Sequence, residues 1–324
     1  MVMVEIKIND NQSGIRLDKF LLSKYSKMRI VGIQKFIKKK EIKVNNRKVN
    51  SDYLLKNNDV ITFSTFVEKI LNNPINTEEI EKFTSEKIDD RYNKLVTDNI
   101  IYEDNNILVI NKPYNLPVQG GTGIKVSVDK ILKNLNTENT NLKLVHRLDR
   151  DTTGVLLIAK NFETANKLTK MFKTKEDIKK EYLLVVSGKI NSNEGTISLP
   201  LIKKYENNVE KVYVDKNNGK EAITKYKVLF YSTKYDVSVV QANILTGRTH
   251  QIRVHFKEIG HPILGDFKYS NGINTTNNLN TEGKLQLHSY KTTINIKHER
   301  REFVAPIPEQ MKNIFKTMGF SFNL

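Results

Sequence analysis

A charged stretch, His146-Arg147-Leu148-Asp149-Arg150-Asp151-Thr152-Thr153-Gly154, runs straight into the apolar pentapeptide Val155-Leu156-Leu157-Ile158-Ala159. The pentapeptide is too short and too apolar to be anything but a core strand or a buried helical turn, and Gly154 marks the bend that feeds it. Asp149 is therefore held at the rim of a core. Between Arg147 and Arg150 its carboxylate can stay ionised at neutral pH, because opposite charges within a few Å depress a pKa. An ionised, positioned Asp can act as nucleophile or base. The same segment is also compatible with an ordinary surface ion-pair network, which contributes little.

Length and charge narrow the choice. At 324 residues with 38% hydrophobic content, the chain can form one large domain or two unequal ones with a sizeable core. Its 53 Lys and Arg against 36 Asp and Glu give a net charge of +17, which points to a polyanionic partner such as nucleic acid. Abundant Lys, Asn and Ile also fit compositional drift, so distribution matters. Residues 1–68 hold 14 basic and 7 acidic side chains, whereas 69–97 hold 5 and 6, so the excess lies outside the middle segment. The absence of cysteine excludes a disulfide framework, a thiolate nucleophile and a zinc-thiolate site, and fits a reducing cytoplasm. Met1-Val2-Met3-Val4-Glu5-Ile6-Lys7 is charged where a signal peptide needs an apolar run, and no segment approaches a membrane span. A soluble, cytoplasmic protein with no membrane partner is expected.

Residues 14–64 read as a small module. Leu17, Phe20 and Leu21, and again Ile33, Phe36 and Ile37, fall at i, i+3, i+4, predicting two short amphipathic helices. Lys35, Lys38, Lys39 and Lys40 take the remaining face and end of the second. Ile42, Val44 and Val49 then flank an Asn45-Asn46 turn, with Arg47 and Lys48 beside it. The pattern Arg16-Leu17-Asp18-Lys19-Phe20-Leu21, a basic helix, Ile42-Lys43-Val44-Asn45 and Asn58-Asp59-Val60-Ile61 resembles an S4 RNA-binding module. Asn46 and Asn58 stand where that pattern usually has glycine, a mild departure because Asn tolerates positive φ. The module is assigned to 1–68, an acidic connector to 69–97 and a second domain to 98–324.

In the second domain Ile100-Ile101-Tyr102 and Ile107-Leu108-Val109-Ile110 read as strands around a turn, ended by Lys112-Pro113. Gly120-Gly121-Thr122-Gly123 lacks the spacing of a nucleotide or dinucleotide loop and reads as a flexible loop near the site; 271–280 reads as an exposed Asn- and Thr-rich loop. Lys180 to Gly188 is a strand with Tyr182 at its entrance. Leu245-Thr246-Gly247-Arg248-Thr249-His250-Gln251-Ile252-Arg253-Val254-His255-Phe256 follows the apolar run 237–244, so strand, turn at Gly247 and helix are expected. Arg248, planar and always charged, suits bidentate pairing with a carboxylate or phosphate. His250 and His255 lie five apart on that helix and share no face, which argues against a metal site with His261.

Together these pieces resemble the RluA-type RNA pseudouridine synthases. His146-Arg147-Leu148-Asp149 followed by Thr152, Thr153 and Gly154, then Lys180-x-Tyr182, then Thr246 to His255, and finally Leu287-His288 follow the family signatures. Thr153, Leu184 and Ser289 depart from the usual residues without removing a charge. Asn111-Lys112-Pro113 and the Gly120 loop are similar to the RluC-like branch, which modifies 23S ribosomal RNA. The resemblance implies an α+β fold: a mixed, largely antiparallel catalytic sheet with flanking helices and loops, behind a small α/β S4 domain. It implies a cofactor-free, metal-free isomerisation of a flipped uridine. Asp149 is the essential carboxylate, Tyr182 the stacking platform, and Arg248 the partner of Asp149. RNA contacts are assigned to His146, Arg147, Arg150, His250, Arg253, Lys35, Lys38, Lys39, Arg47 and Lys48. The partner is large-subunit ribosomal RNA, free or pre-ribosomal, rather than DNA, and the protein is taken as a monomer. A glycosidase, which needs two flanking carboxylates, and a non-catalytic RNA-binding protein are the competing readings; intact Asp149, Tyr182 and Arg248 argue against the latter.

Overall fold

Apolar spacing decides the first module. Leu17, Phe20 and Leu21 on α1 (Leu17–Lys24) and Ile33, Phe36 and Ile37 on α2 (Ile30–Lys38) are all buried, and they share one cluster with Ile42, Val44, Leu55 and Ile61. A three-stranded antiparallel sheet completes it: β1 (Met3–Lys7), β2 (Lys43–Val44) and β3 (Val60–Ser64), in the order β1-β3-β2. Asn45, Asn46 and Asn58 adopt φ of 50°, 59° and 65°, so asparagine does take the left-handed positions. Arg16 and Gln34 both donate to buried Asp18, at 2.8 and 2.9 Å, tying α1 to α2. Lys38, Lys39, Arg47 and Lys48 are exposed and Lys35 half-buried.

The structure, a computed structural model, describes residues 3–25, 28, 30–72, 89–121, 124–137, 140–206, 209–270, 279–296 and 299–322. It divides into two compact units, Met1–Lys87 and Ile88–Leu324. The acidic connector expected over 69–97 is narrower at both ends. Residues 69–72 close α3 (Thr65–Asn72), whose Val67, Ile70 and Leu71 are buried in the first unit. At the other end, α4 (Lys94–Thr97) buries Val96 in the second unit, and Asn134 donates to Asp90 and Asn93 at 2.9 and 3.1 Å. The apolar anchors Ile70, Leu71 and Val96 outweighed the acidic composition. Residues 73–88 of that connector, 271–278 of the Asn-rich loop, and Thr122 and Gly123 lie outside the described residues.

The second unit is built on one ten-stranded mixed sheet. Its strands are β4 (Ile100–Glu103), β5 (Ile107–Lys112), β6 (Lys143–Leu144), β7 (Thr153–Ala159), β8 (Ile178–Ser187), β9 (Glu194–Ser198), β12 (Ile223–Ser232), β13 (Val237–Ile244), β14 (Leu287–Ile296) and β15 (Glu299–Val304). The spatial order is β4-β5-β7-β14-β8-β13-β12-β9, with β6 on β7 and β15 on β14. A separate hairpin joins β10 (Leu201–Glu206) to β11 (Val209–Val214). Helices α5 (Val128–Leu135), α6 (Phe162–Thr174), α7 (Gln251–Glu258) and α8 (Glu309–Met318) flank the sheet. The α+β class expected from the sequence is the one found.

Val155 to Ala159 form the buried centre of β7, antiparallel to β5 on one side and parallel to β14 on the other. Gly154 makes that parallel approach feasible: its φ is +109°, and a Cβ there would lie 2.2 Å from the Ser289 carbonyl oxygen. The charged stretch is thus delivered to the edge of the core at the head of the strand.

Candidate active site

The loop ahead of β7 carries Asp149, whose side chain is 20% exposed. A backbone bond from Thr152 N to the Asp149 carbonyl, 3.2 Å, closes the turn. The loop is also pinned from beneath by Lys112, a side chain the sequence offered only as a strand terminator. Lys112 is fully buried, and its Nζ donates to the carbonyls of Pro113, Leu116 and Arg150 at 2.8, 3.0 and 2.9 Å. Burial pulls its pKa down to about 7, opposed by Asp151 and Asp149. Three acceptors for three ammonium hydrogens make a structural clamp that ties the 113–116 segment to the backbone next to the carboxylate.

The flanking arginines expected to hold Asp149 do not pair with it. Arg150 pairs with its neighbour Asp151 at 2.9 Å, and Arg147 donates to Gln119 at 3.4 Å from an exposed position. Nor does Arg248 fill that role: its Nε donates to the Glu221 carbonyl at 2.8 Å. The partner is Arg253, with Nη1 at 3.9 Å from Asp149 Oδ2, together with His250, whose Nε2 is at 3.8 Å. The reason is where α7 starts. His250 caps it in the left-handed conformation, φ 52°, so His250 and Arg253 are three apart and project towards one side, while Arg248 remains on the turn.

Each of these partners is oriented in turn. Arg253 is bidentate to buried Asp266, Nε to Oδ2 2.8 Å and Nη2 to Oδ1 2.7 Å, which leaves Nη1 for Asp149. Its guanidinium also lies 5.1 Å from the Tyr269 ring centroid. The Tyr269 hydroxyl accepts from Val212 N at 3.1 Å and meets His250 Nδ1 at 2.7 Å. With the Tyr269 hydroxyl as donor to Nδ1, the neutral His250 carries its own proton on Nε2, facing Asp149. Burial pushes the pKa of His250 down to about 4, against the opposing pull of Asp149, so it stays neutral at pH 7. Asp266 and Tyr269 carry no periodic or spacing signal that would link them to Asp149 across more than a hundred residues.

Tyr182 stands in β8 opposite Ala242 of β13 and Ser289 of β14. Its side chain is buried and lines a cavity of about 440 Å³ with Asp149, Arg253 and Leu287. Burial raises the phenol well above its ordinary pKa, with Ser289 as the opposing hydrogen-bond partner, so the hydroxyl remains protonated at neutral pH. A second cavity of about 430 Å³, lined by Tyr114, Gln119, Arg150 and Lys268, shares Arg147, Asp149, His250 and Arg253 with the first. Asp149 sits in the wall between them.

His146, assigned to RNA contact, is half-buried in the lining of the first cavity and is also tied into the fold. Its Nε2 accepts from Leu157 N at 2.9 Å and its ring stacks on Phe172 at 4.0 Å, and burial holds it far below the ordinary histidine pKa. His288 likewise bridges Thr153 Oγ1, 2.8 Å, and the Ala305 carbonyl, 3.3 Å. His255 bonds Thr224 and Leu199, and His261 bonds Ser187. Among the described residues no three His, Asp or Glu side chains converge in a metal-binding group.

The site sets one oriented carboxylate beside a buried aromatic ring in a cavity rimmed with cations. The RNA pseudouridylate synthase family model matches residues 106–258, and the S4 domain model matches 15–61. The ribosomal large subunit pseudouridine synthase C of Rickettsia conorii is 40% identical over 256 residues, covering 79% of this chain and 82% of its own. That of Vibrio vulnificus is 32% identical over 325 residues, covering 98% and 96%. The structure of human RNA pseudouridylate synthase domain containing 4 matches with a TM-score of 0.60 at 26% identity, covering 72% of this chain and 97% of its own. The chain belongs to the RNA pseudouridylate synthase family. No helix among the described residues is long and apolar enough to cross a membrane.

Proposed function

We propose that this protein isomerises specific uridines of large-subunit ribosomal RNA to pseudouridine, with Asp149 as the essential carboxylate. The observation that carries this reading is the placement of Asp149, steered by Arg253 and His250, in the same cavity as the Tyr182 ring. The relatives named for the large ribosomal subunit support the substrate class. The reaction breaks C1′–N1, forms C1′–C5 and moves the C5 hydrogen to N1, so it needs neither an electron acceptor nor a group donor. The target nucleotide must leave its stack, and Tyr182 offers a ring for the extruded base. Arg147 meets the RNA backbone in this reading, which its exposure and its share in both cavities support. Lys35, Lys38, Lys39, Arg47 and Lys48 of the S4 unit supply a basic RNA-binding face. Action as a monomer in the cytoplasm, on free or pre-ribosomal RNA, completes the reading.

The test is to incubate purified protein with unmodified large-subunit ribosomal RNA and map pseudouridine chemically. Wild type is expected to introduce it at discrete positions, and Asp149→Asn to lose at least about 10³-fold in rate, as when a catalytic nucleophile or base is removed. Activity surviving in Asp149→Asn overturns the assigned role.

A further inference from the structure

Lys180 and Tyr182 are two apart on β8, so their side chains share a face, and both line the larger cavity. Lys180 is only 8% exposed. Among the described residues its ammonium has no hydrogen-bond acceptor and no carboxylate; its company is the Phe172 ring, 5.9 Å away, and Lys175. The contrast with Lys112, more deeply buried but holding three carbonyls, shows that this fold can satisfy a buried lysine where it needs one structurally. Burying an uncompensated ammonium is costly, and here burial pulls it down to about 7. A second cation sharpens the point. A Cβ on Gly247 would lie 3.1 Å from Lys175 Nζ and 4.0 Å from Lys180 Nζ, so both ammoniums converge on the space that this glycine leaves open. Arg248 follows on the same turn, its guanidinium engaged among the described residues through Nε alone, by the Glu221 carbonyl. Asp149 is the one carboxylate among the described lining residues, and it faces Arg253 and His250.

We propose that Lys180, Lys175 and the Gly247-Arg248 turn form a subsite for one backbone phosphate of the RNA, next to the space where Tyr182 receives the flipped base. The inference rests on RNA being the substrate. Three converging cations call for a full negative charge; the neutral oxygens of uracil cannot compensate them, whereas a phosphodiester can. A side chain at position 247 would enter the space between the ammoniums and push the end of Lys175 aside. The phosphate would hold the strand in register while the base detaches and turns.

The experiment uses full-length wild type, Lys180→Met and Lys180→Arg with a labelled fragment of unmodified large-subunit ribosomal RNA. Affinity is measured over a KCl series, KM and kcat on the same RNA, and thermal melting on the free proteins. Lys180→Met is expected to melt no lower than wild type, because it removes a buried uncompensated charge. Its KM should rise about tenfold or more, and its plot of log affinity against log salt should be shallower by about 0.7 to 0.9, the value of one phosphate contact. Lys180→Arg should recover the slope. A markedly lower melting temperature for Lys180→Met, or an unchanged slope with loss confined to kcat, overturns the subsite. Pseudouridine formation by wild type in the same samples separates the two readings. Its absence, with a slope that still depends on Lys180, rejects the isomerase and leaves the subsite standing.

Discussion

The two ends of the main cavity treat charge in opposite ways. At the Asp149 end every group is compensated: Arg253 is clamped by Asp266, His250 is held neutral, and its tautomer is set by Tyr269. At the Lys180 end two lysines and an arginine gather without a carboxylate. The difference separates two jobs. Groups that must hold a geometry before the substrate arrives are paired within the protein. Groups that meet a charge brought by the substrate are left without a carboxylate, although Lys175 and Arg248 each donate to a backbone carbonyl, of Phe172 and Glu221.

The comparison is most exposed at Arg253. Arg253→Met leaves Asp266 buried without its partner, and denaturant melts should show a loss of about 3–5 kcal/mol. A change below about 1 kcal/mol would mean that this pair does not organise the acid end. Tyr182→Phe keeps the ring and removes the hydroxyl, so KM should hold while kcat falls about 10²-fold, the lower bound for a positioned proton-transfer group. Tyr182→Leu should lose binding as well; equal rates in all three forms would remove Tyr182 from the chemistry. The neutrality of His250 has a pH signature. Its folded value of about 4 lies below the ordinary 6.5, so the unfolded chain binds the extra proton between those values. Stability should therefore fall as pH drops from about 6.5 towards 4, by roughly 3 kcal/mol from this residue. Urea melts at pH 7 and 4.5 should show a smaller drop for His250→Gln, and parallel drops would refute it. Smallest is Arg248→Met, for which a three- to fivefold loss of RNA affinity is expected. A collapse of kcat there would restore Arg248 to the acid end and blur the contrast.

How much of this was legible depended on whether the deciding contact was local. The strand 155–159 and the asparagine turns follow from apolar runs and permitted φ, and the structure has them; Gly154, read as the bend before the strand, is instead the second residue of β7, where its φ of +109° admits β14. The resemblance put Asp149 and Tyr182 within reach of one another, and they do line one cavity. Exchanging Arg248 for Arg253 could not be foreseen from composition or spacing. It depends on His250, not an earlier residue, being the cap of α7, and on Asp266, thirteen residues on, holding the guanidinium in place. The hold of His146 on the fold is hidden in the sequence because its backbone partner, Leu157, becomes a neighbour only once β7 is formed. Lys112 and Lys180 are both lysines beside apolar runs, and only their surroundings distinguish a clamp from an open cation.

The parallel pairing of β7 with β14 sets an order on how this enzyme comes into being. His288 and Ser289 lie beside Thr153 and Gly154 across some 135 positions of chain. Such distant neighbours lengthen the search during folding and make it end late. During synthesis, which proceeds from the N-terminus with domains folding as units, the first unit can form early. The loop bearing Asp149 must wait until nearly the last strand has emerged, so a truncated nascent chain carries an RNA-binding head without a finished catalytic centre.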